Sequence, residues 1–249
     1  MVAKSCGVFQ INPKYDKETK EVLLNKGRYK YGVIENLTLY FYVDRVMSLR
    51  SGKLIEIAYD KPYRFRNRDQ DQLQVVKETI EGRTICLYET NELPNFIAII
   101  GNREMVNRVR MIVGNILSER LEKSVRPFVP INFTLSEREK EILQTGAFTN
   151  IRELSIHEIR DPYVKKAILK GFQLEMSPEY NKYVRDAIRG GIIRYFTVSF
   201  RSKVLFISSD GHIYTREAGE KDSEFADLIY DVLRTLRKVD AIKYQALLI

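Results

Sequence analysis

Residue types that form disulfides or bind metals are scarce in this chain, which has two cysteines and two histidines among its 249 residues. Two cysteines cannot build a disulfide framework, and the apolar neighbours of Cys86 predict a buried structural residue. No pair of cysteines or histidines has the spacing of zinc ligands, because His157 and His212 are far apart. The sequence therefore predicts neither a metal site nor another cofactor.

The motifs of common enzyme classes are also missing. The chain has no glycine-rich phosphate loop, no GxSxG nucleophile turn and no dinucleotide-binding fingerprint. One enzymatic alternative stays open, because Asp44, Glu56 and Asp60 lie on or beside predicted strands where they could converge on a divalent metal, as in a nuclease. With 33 acidic residues such neighbours are common by chance, and we expect a non-enzymatic protein without catalytic residues.

Long hydrophobic runs are absent as well. The longest apolar stretches, at 96–100 and 192–200, are far shorter than the roughly 20 residues of a membrane-spanning helix. Polar residues follow soon after Met1 and leave no room for an apolar signal core. We expect a cytoplasmic protein without a membrane partner.

Positive charge is what the chain has in excess. Its 41 basic and 33 acidic residues give a net charge of +8 and a pI of about 9.3, which favours a polyanionic partner such as nucleic acid. The high charged fraction and the lack of tryptophan are typical of thermophile proteins, in which ion pairs gain value with temperature.

Strand-like segments dominate the first half of the sequence. Their β-branched, aromatic or alternating residues predict strands at 37–43, 53–59, 73–80, 83–88 and 95–100, with a break at Glu81-Gly82. Apolar residues at helical spacing then predict a long helix from Arg103 to about Glu122.

The second half begins after Pro127 and Pro130, which interrupt the helix and indicate a linker. Capping patterns predict short helices after Ser136, at 162–170 after Asp161 and at 178–189 after Ser177, and we interpret 136–170 as a helical connector. A second meander follows at 192–200, 203–208 and 212–216, with a turn at Asp210-Gly211 and a closing helix at 221–238. The predicted buried stripe of that helix consists of Phe225, Leu228, Ile229, Val232, Leu233 and Leu236.

These elements predict an α+β fold with two similar halves, each an antiparallel β-meander followed by a long amphipathic helix, with short helices at the start of the second half. The predicted domains are 1–124 and 136–249, joined by a linker at 125–135. The similarity indicates either an internal duplication or two independent cases of a hairpin sheet covered by a helix. A duplication would allow a pseudo-twofold, saddle-like sheet, as in proteins that clamp DNA.

The first candidate binding segment is 61–68, which combines four cations with two aromatic residues and no acid. Cations neutralise phosphates and exposed aromatic rings stack on bases, so nucleic-acid binding needs both residue types. The alternative is a plain strand that packs its aromatic residues inward and exposes its cations. The candidate residues are Lys61, Tyr63, Arg64, Phe65, Arg66 and Arg68.

A second basic and aromatic segment near the N-terminus would extend this surface if the two segments lie together. Its candidate residues are Lys26, Arg28, Tyr29 and Lys30, and the alternative is a solvated hairpin end.

The first hypothesis for function is a non-enzymatic protein that binds duplex or structured nucleic acid, DNA rather than RNA, mainly through the backbone. The second is a protein-interaction or adaptor subunit of a larger complex, because the chain offers long amphipathic helices and 15 tyrosines but no sharp site. A metal-dependent nuclease ranks third.

Overall fold

A computed structural model describes residues 2–34, 37–66, 73–90, 93–186, 190–218 and 221–244. The chain divides into two compact units: residues 11–128, here the first unit, and residues 1–10 with 129–249, here the second unit. Antiparallel strands dominate both of them. The linker predicted at 125–135 stays a prediction.

The first unit contains five strands and two helices in the described residues. Helix α1 (Asp16–Leu24) precedes strands β2 (Gly27–Ile34), β3 (Leu37–Leu49), β4 (Gly52–Arg66), β5 (Leu73–Thr90) and β6 (Leu93–Ile100), which pair in chain order. Helix α2 (Arg103–Leu121) follows, and it begins where the Asn102 side chain accepts a hydrogen bond from the Met105 N–H at 2.9 Å. Its buried residues recur at helical spacing, as the sequence predicts.

The second unit pairs the first strand of the chain, β1 (Val2–Ile11), with strands from its other end. Its remaining elements are β7 (Phe128–Phe133), α3 (Glu139–Gln144), β8 (Phe148–His157), β9 (Lys166–Lys170), α4 (Pro178–Tyr180), β10 (Ile192–Phe200), β11 (Lys203–Ser208), β12 (His212–Ala218), α5 (Asp222–Lys238) and β13 (Ile242–Tyr244). The strand order is β1-β12-β11-β10-β8-β9, and β13 pairs with β7. The predicted Asp210-Gly211 turn is confirmed, with Gly211 at φ +82° and its N–H 3.1 Å from the Ser208 carbonyl.

The predicted fold class of two similar halves, each ending in a long helix, is wrong. The chain is mostly antiparallel β-strand, with thirteen strands in its described part, and no described helix exceeds 19 residues. Neither helix closes a half, because β7 follows α2 and β13 follows α5. The saddle-like sheet, which was expected only from the repeat, is therefore wrong as well.

The break predicted at Glu81-Gly82 is also wrong, because both residues lie inside the 18-residue strand β5. Gly82 pairs with Tyr59 on β4, and a Cβ at Gly82 would stand 2.6 Å from atoms of the Tyr59 ring. The glycine therefore makes room for a buried aromatic ring. In the sequence alone, a strand glycine with this role looks the same as a glycine that marks a turn.

The helical connector predicted at 136–170 is wrong over most of its length, because β8 and β9 replace the expected helices. Asp161 does act as a cap, since its Oδ1 accepts hydrogen bonds from the Tyr163 and Val164 N–H groups at 2.9 and 3.2 Å. The capped turn then enters β9, which finds a partner in β8. Pairing across the sheet thus decides between helix and strand where local signals allow both.

The helix predicted at 178–189 is much shorter than expected. Ser177 caps it as predicted, with its Oγ accepting from the Tyr180 N–H at 3.1 Å. However, α4 ends at Tyr180 and a single π turn, Asn181–Arg185, follows.

None of the helices in the described part of the chain combines the length and the apolar content needed to cross a membrane.

Candidate nucleic-acid interface

Strands β4 and β5 continue together past their other neighbours. On β4, the pairing with β3 stops at Tyr59, which lies opposite Phe41. On β5, the pairing with β6 stops at Ile85. In contrast, β4 and β5 stay paired with each other as far as Arg66 and Leu73. Among the described pairings, residues 60–66 and 73–81 therefore form a two-stranded ribbon, hereafter the ribbon. Seven strand residues span about 23 Å, which is the length of the ribbon along β4.

Residues 61–66 of the first candidate segment lie on this ribbon. The sequence predicts that the chain leaves the strand at Pro62, but β4 runs on to Arg66 with a bulge between Pro62 and Arg64. A proline is tolerated here because a strand with one partner needs no donor on its other side.

The structure describes the side chain of Lys61, whose Nζ lies 3.6 Å from Glu104 Oε1 on α2. The backbone of residues 63–66 lies in β4, which places Tyr63, Arg64, Phe65 and Arg66 on the ribbon, while their side chains fall outside the described part. Arg68 lies outside the described residues altogether.

The packing of the Tyr59 ring against Gly82, at the base of the ribbon, can be tested by substitution. Replacing Gly82 by alanine is expected to destabilise the protein by about 1–3 kcal/mol, because the new methyl group overlaps the buried Tyr59 ring. The measurement is urea unfolding followed by circular dichroism. Gly32→Ala is the matched control, since nothing lies within 4 Å of a Cβ at Gly32, and its effect should stay within about 1 kcal/mol. Equal effects of the two changes would contradict the ribbon base described here.

The second candidate segment begins β2 and is only partly available for binding. Lys26 is exposed in the turn before this strand. The guanidinium carbon of Arg28 lies 3.3 Å from the centre of the Tyr40 ring and 5.7 Å from that of Tyr42. The register explains this contact, because Arg28 pairs with Tyr42 and Lys30 with Tyr40 on the neighbouring strand. A cation over the face of a tyrosine ring is attracted to it, so these contacts hold Arg28 in place.

Tyr29 and Lys30 have partners within the first unit. The Tyr29 hydroxyl donates to the carbonyl of Asn25 at 3.1 Å, and the Arg120 guanidinium lies 5.2 Å from its ring. Burial raises the pKa of Tyr29, Arg120 opposes this shift and Glu21 adds to it. Lys30 Nζ is 3.9 Å from Glu119 Oε1. Tyr29 therefore contributes to packing against α2 rather than offering a free ring.

Lys30 and Lys61, one lysine from each segment, do not come together. Lys61 contacts Glu104 in the first turn of α2, whereas Lys30 contacts Glu119 near its end. At roughly 1.5 Å per residue these two carboxylates are about 22 Å apart along the helix axis. The segments thus offer two separate contacts on the first unit.

The carboxylates considered for a nuclease are engaged within the fold. Asp60 Oδ2 accepts a hydrogen bond from the Tyr40 N–H at 2.9 Å. The hydrogen bond and charge of Glu81 raise the pKa of the exposed Arg83, and Asp44 and Glu56 add smaller contributions of the same sign. In the described residues no group of three or more histidine, cysteine, aspartate or glutamate side chains could hold a metal ion.

The cysteines are buried, as predicted for Cys86. Burial raises the pKa of both thiols, Cys6 and Cys86, to about 12, and a backbone hydrogen bond from Ile213 offsets part of the shift at Cys6. Both thiols are therefore neutral at pH 7 and fill space in the core.

The second unit holds a cleft that the sequence analysis does not predict. It has a volume of about 330 Å³ and lies across β8, β9, β10 and the end of β11. Three of its lining residues form one row across the sheet, because Ser155 pairs with Ile168 on one side and with Tyr195 on the other. The alternation of Lys166, Ile168 and Lys170 is the one signal that could have indicated an exposed strand face there.

No protein-family model, curated protein or solved structure matches this chain.

Proposed function

We propose that this protein binds duplex or structured nucleic acid without catalysing a reaction, that DNA is its ligand rather than RNA, and that the ribbon makes the central contact. The observation that carries the proposal is a two-stranded ribbon that extends beyond its neighbouring strands and bears a cluster of basic residues. The major groove of B-DNA admits a two-stranded ribbon, and several DNA-binding proteins read DNA with strands. A cytoplasmic location, predicted from the sequence, is part of the same proposal.

Binding through the ribbon would be mainly electrostatic. Lysine and arginine side chains that neutralise phosphates release counterions, and this release makes affinity fall steeply with salt. Lys61 is available for such an exchange, because its ion pair with Glu104 is half-exposed and such pairs are worth about 0–1 kcal/mol. Phosphate contacts carry no sequence information, so we expect little sequence preference.

Arg28 would supply a second contact at a distance from Lys61. Its guanidinium is held over Tyr40 and is exposed at the beginning of β2, with Lys26 beside it in the sequence. Two separated cationic contacts favour a rigid, extended polyanion such as a duplex, which can reach both of them at once.

Removing the three arginines of the segment 61–68 tests this proposal. The variant Arg64→Ala, Arg66→Ala and Arg68→Ala is compared with the wild type by fluorescence anisotropy on a labelled 30-base-pair duplex over a range of salt concentrations. For four phosphate contacts the wild-type slope of log affinity against log salt should be roughly −3 to −4, and the variant slope should be less steep by about 2.7.

The control variant removes the same charge elsewhere, at the exposed residues Lys17, Lys140 and Lys238, each replaced by alanine. Its slope should change by less than about 1, because these lysines lie off the ribbon. Wild-type binding that does not depend on salt, no binding at low salt, or equal slopes for the two triple variants would each refute the proposal.

A further inference from the structure

Strand β9 of the second unit pairs on one side only. Its partner is β8, which runs antiparallel to it, and no strand in the described part of the chain pairs with its other side. The Gly171 N–H donates to the Arg152 carbonyl at 3.0 Å, and in an antiparallel pair every second residue makes such bonds. Counting back by two, positions 169 and 167 therefore bond to β8, and the intervening positions direct their N–H and C=O groups away from it. These outward residues are Lys166, Ile168 and Lys170.

The side chains of the three outward residues also share one face of the strand. Alternate residues of a strand project to the same side, and here all three are exposed, whereas Ala167 and Leu169 between them are half-buried. Ile168 is 49% exposed. The open edge of β9 thus offers unpaired backbone groups next to an apolar side chain that stands between two lysines.

The charge at this edge is positive. Lys166 is exposed and forms no ion pair within the described ranges. Lys170 Nζ lies 3.6 Å from Glu153 Oε1, but Lys170 is largely exposed and such pairs stabilise little. Glu153 Oε1 also accepts a hydrogen bond from the Tyr195 hydroxyl at 2.9 Å, so its charge is shared between two donors. An acidic group that approaches the edge from outside would meet both lysines.

Exposed apolar side chains are concentrated around the same strand. Tyr163, Ile168, Phe172 and Met176 are four of the eight large apolar side chains that are exposed in the described residues, and all four lie at 163–176. Tyr163 is 94% exposed, on the turn that leads into β9. A single exposed apolar residue is ordinary, but such a concentration is typical of a surface that contacts another protein.

A second copy of the chain and a nucleic acid both fit this edge less well than an acidic strand. Two copies of β9 paired antiparallel about Ile168 would place Lys166 opposite Lys170, and like charges directly opposite each other destabilise a sheet. Lysine on edge strands commonly prevents such self-association. A phosphate backbone offers acceptors and would leave the outward carbonyls of β9 without donors. An extended acidic segment satisfies both the backbone groups and the lysines.

We propose that β9 is a docking edge for an extended segment of a partner protein, which adds to the sheet as a further strand. The segment carries acidic side chains opposite Lys166 and Lys170 and an apolar side chain opposite Ile168, so acidic, apolar and acidic residues alternate along it with one residue between each. Main-chain hydrogen bonds supply the affinity of such added strands, and alternate side chains supply the selectivity. The edge belongs to the second unit and the ribbon to the first, and the inference goes beyond the proposed function without depending on it.

A nine-residue peptide tests the docking edge. It consists of threonine with glutamate at its third and seventh positions and valine at its fifth, and it is added to isotope-labelled full-length protein. Amide exchange at Lys166, Ile168 and Lys170, followed by NMR, should slow about 10-fold when the peptide concentration is about nine times the Kd. The amides of Ala167 and Leu169 already bond to β8 and should change far less. A peptide with lysine in place of glutamate is the control and should leave all five amides unchanged.

Two sets of variants separate the charge of the edge from its backbone. Lys166→Glu with Lys170→Glu should weaken binding of the acidic peptide about 10-fold and should make the lysine peptide bind instead. Ile168→Pro removes one outward N–H and keeps the bonds to β8, since an edge strand tolerates proline where its N–H faces outward. It should weaken binding about fivefold or more, whereas the matched control Ile168→Val keeps the N–H and should stay within about twofold of the wild type.

The inference is overturned if the acidic peptide leaves the three outward amides unchanged, or if folded Ile168→Pro and the double glutamate variant both bind it like the wild type. Outward amides that are protected in the protein alone and lose protection on dilution would identify a second copy as the occupant. Outward amides that respond to the 30-base-pair duplex and not to the peptide would identify nucleic acid. Either of these two results also overturns the inference.

Discussion

Replacing Glu139 by alanine is expected to destabilise the second unit by about 3 kcal/mol, one of the largest effects that a single substitution should have in this protein. Glu139 is only 7% exposed, and its Oε1 accepts hydrogen bonds from the Tyr180 hydroxyl and, at 3.1 Å, from Arg185 Nη2. The substitution leaves a fully buried hydroxyl without its acceptor and an arginine without its counterion. Arg185 reaches solvent, with 36% of its side chain exposed, which keeps the cost at the lower end of the range for buried ion pairs.

Urea unfolding measures this effect, with Glu141→Ala as the matched control on the same helix. Glu141 forms a half-exposed ion pair with Arg138 at 3.5 Å, and its loss should cost less than about 1 kcal/mol. Replacing both Glu139 and Tyr180, by alanine and phenylalanine, should recover part of the stability, since the orphaned hydroxyl is then gone. Equal stabilities of the two glutamate variants would show that the buried cluster contributes nothing.

The same cluster predicts a pH dependence at high pH. Burial, then the hydrogen bond to Glu139 and the charge of that carboxylate, raise the pKa of Tyr180 far above its usual 10.0, while Arg185 opposes the shift. The native phenol stays neutral, so its contribution to stability is complete below about pH 10 and falls at higher pH as the unfolded chain ionises this group. Tyr180→Phe should flatten the stability curve above that pH.

The elements that the sequence predicts correctly are those with local signals. The stripe of α5 is buried at every predicted position, and α2 begins and ends within about one residue of its predicted bounds. The Asp210-Gly211 turn needs a positive φ, which glycine supplies. Periodicity, capping and turn chemistry act over a few residues, and the sequence therefore displays them directly.

The elements that the sequence predicts wrongly depend on strand pairing with segments far away in the chain. In the sequence Gly82 indicates the end of a strand, but β5 continues because the glycine makes room for Tyr59 on β4. Pro62 likewise indicates the end of β4, but the strand continues through a bulge and has only β5 as a neighbour there. Lys166–Lys170 has a capped turn before it and becomes a strand only because β8 lies alongside. A pairing between distant segments cannot be read from either segment alone.

The candidate sites follow the same division. The basic and aromatic composition of 61–68 is visible in the sequence, although the ribbon that carries residues 61–66 is not. The cleft of the second unit was missed because Ser155, Ile168 and Tyr195 come from three strands, and none of them is unusual in its own segment. Only the register brings a small residue between two large ones and pairs Lys166 with His157 beside them.

Replacing Phe225 by alanine is expected to cost about 3–5 kcal/mol, because it removes a fully buried ring from the apolar face of α5 and leaves a cavity. Phe225→Leu keeps most of the volume and should cost clearly less, about 1.5 kcal/mol. Hydrogen exchange of the α5 amides, together with urea unfolding, measures both variants.

The control is Asp227→Ala, two positions further along α5 on its exposed side, which should change stability by less than about 0.5 kcal/mol. Phe225 belongs to the second unit and the ribbon to the first, so the folded fraction of Phe225→Ala should bind the 30-base-pair duplex with the wild-type salt slope. A loss of duplex binding that exceeds the loss of folded protein would contradict the assignment of that contact to the ribbon. An unchanged exchange rate of the α5 amides would contradict the role of Phe225 in the core.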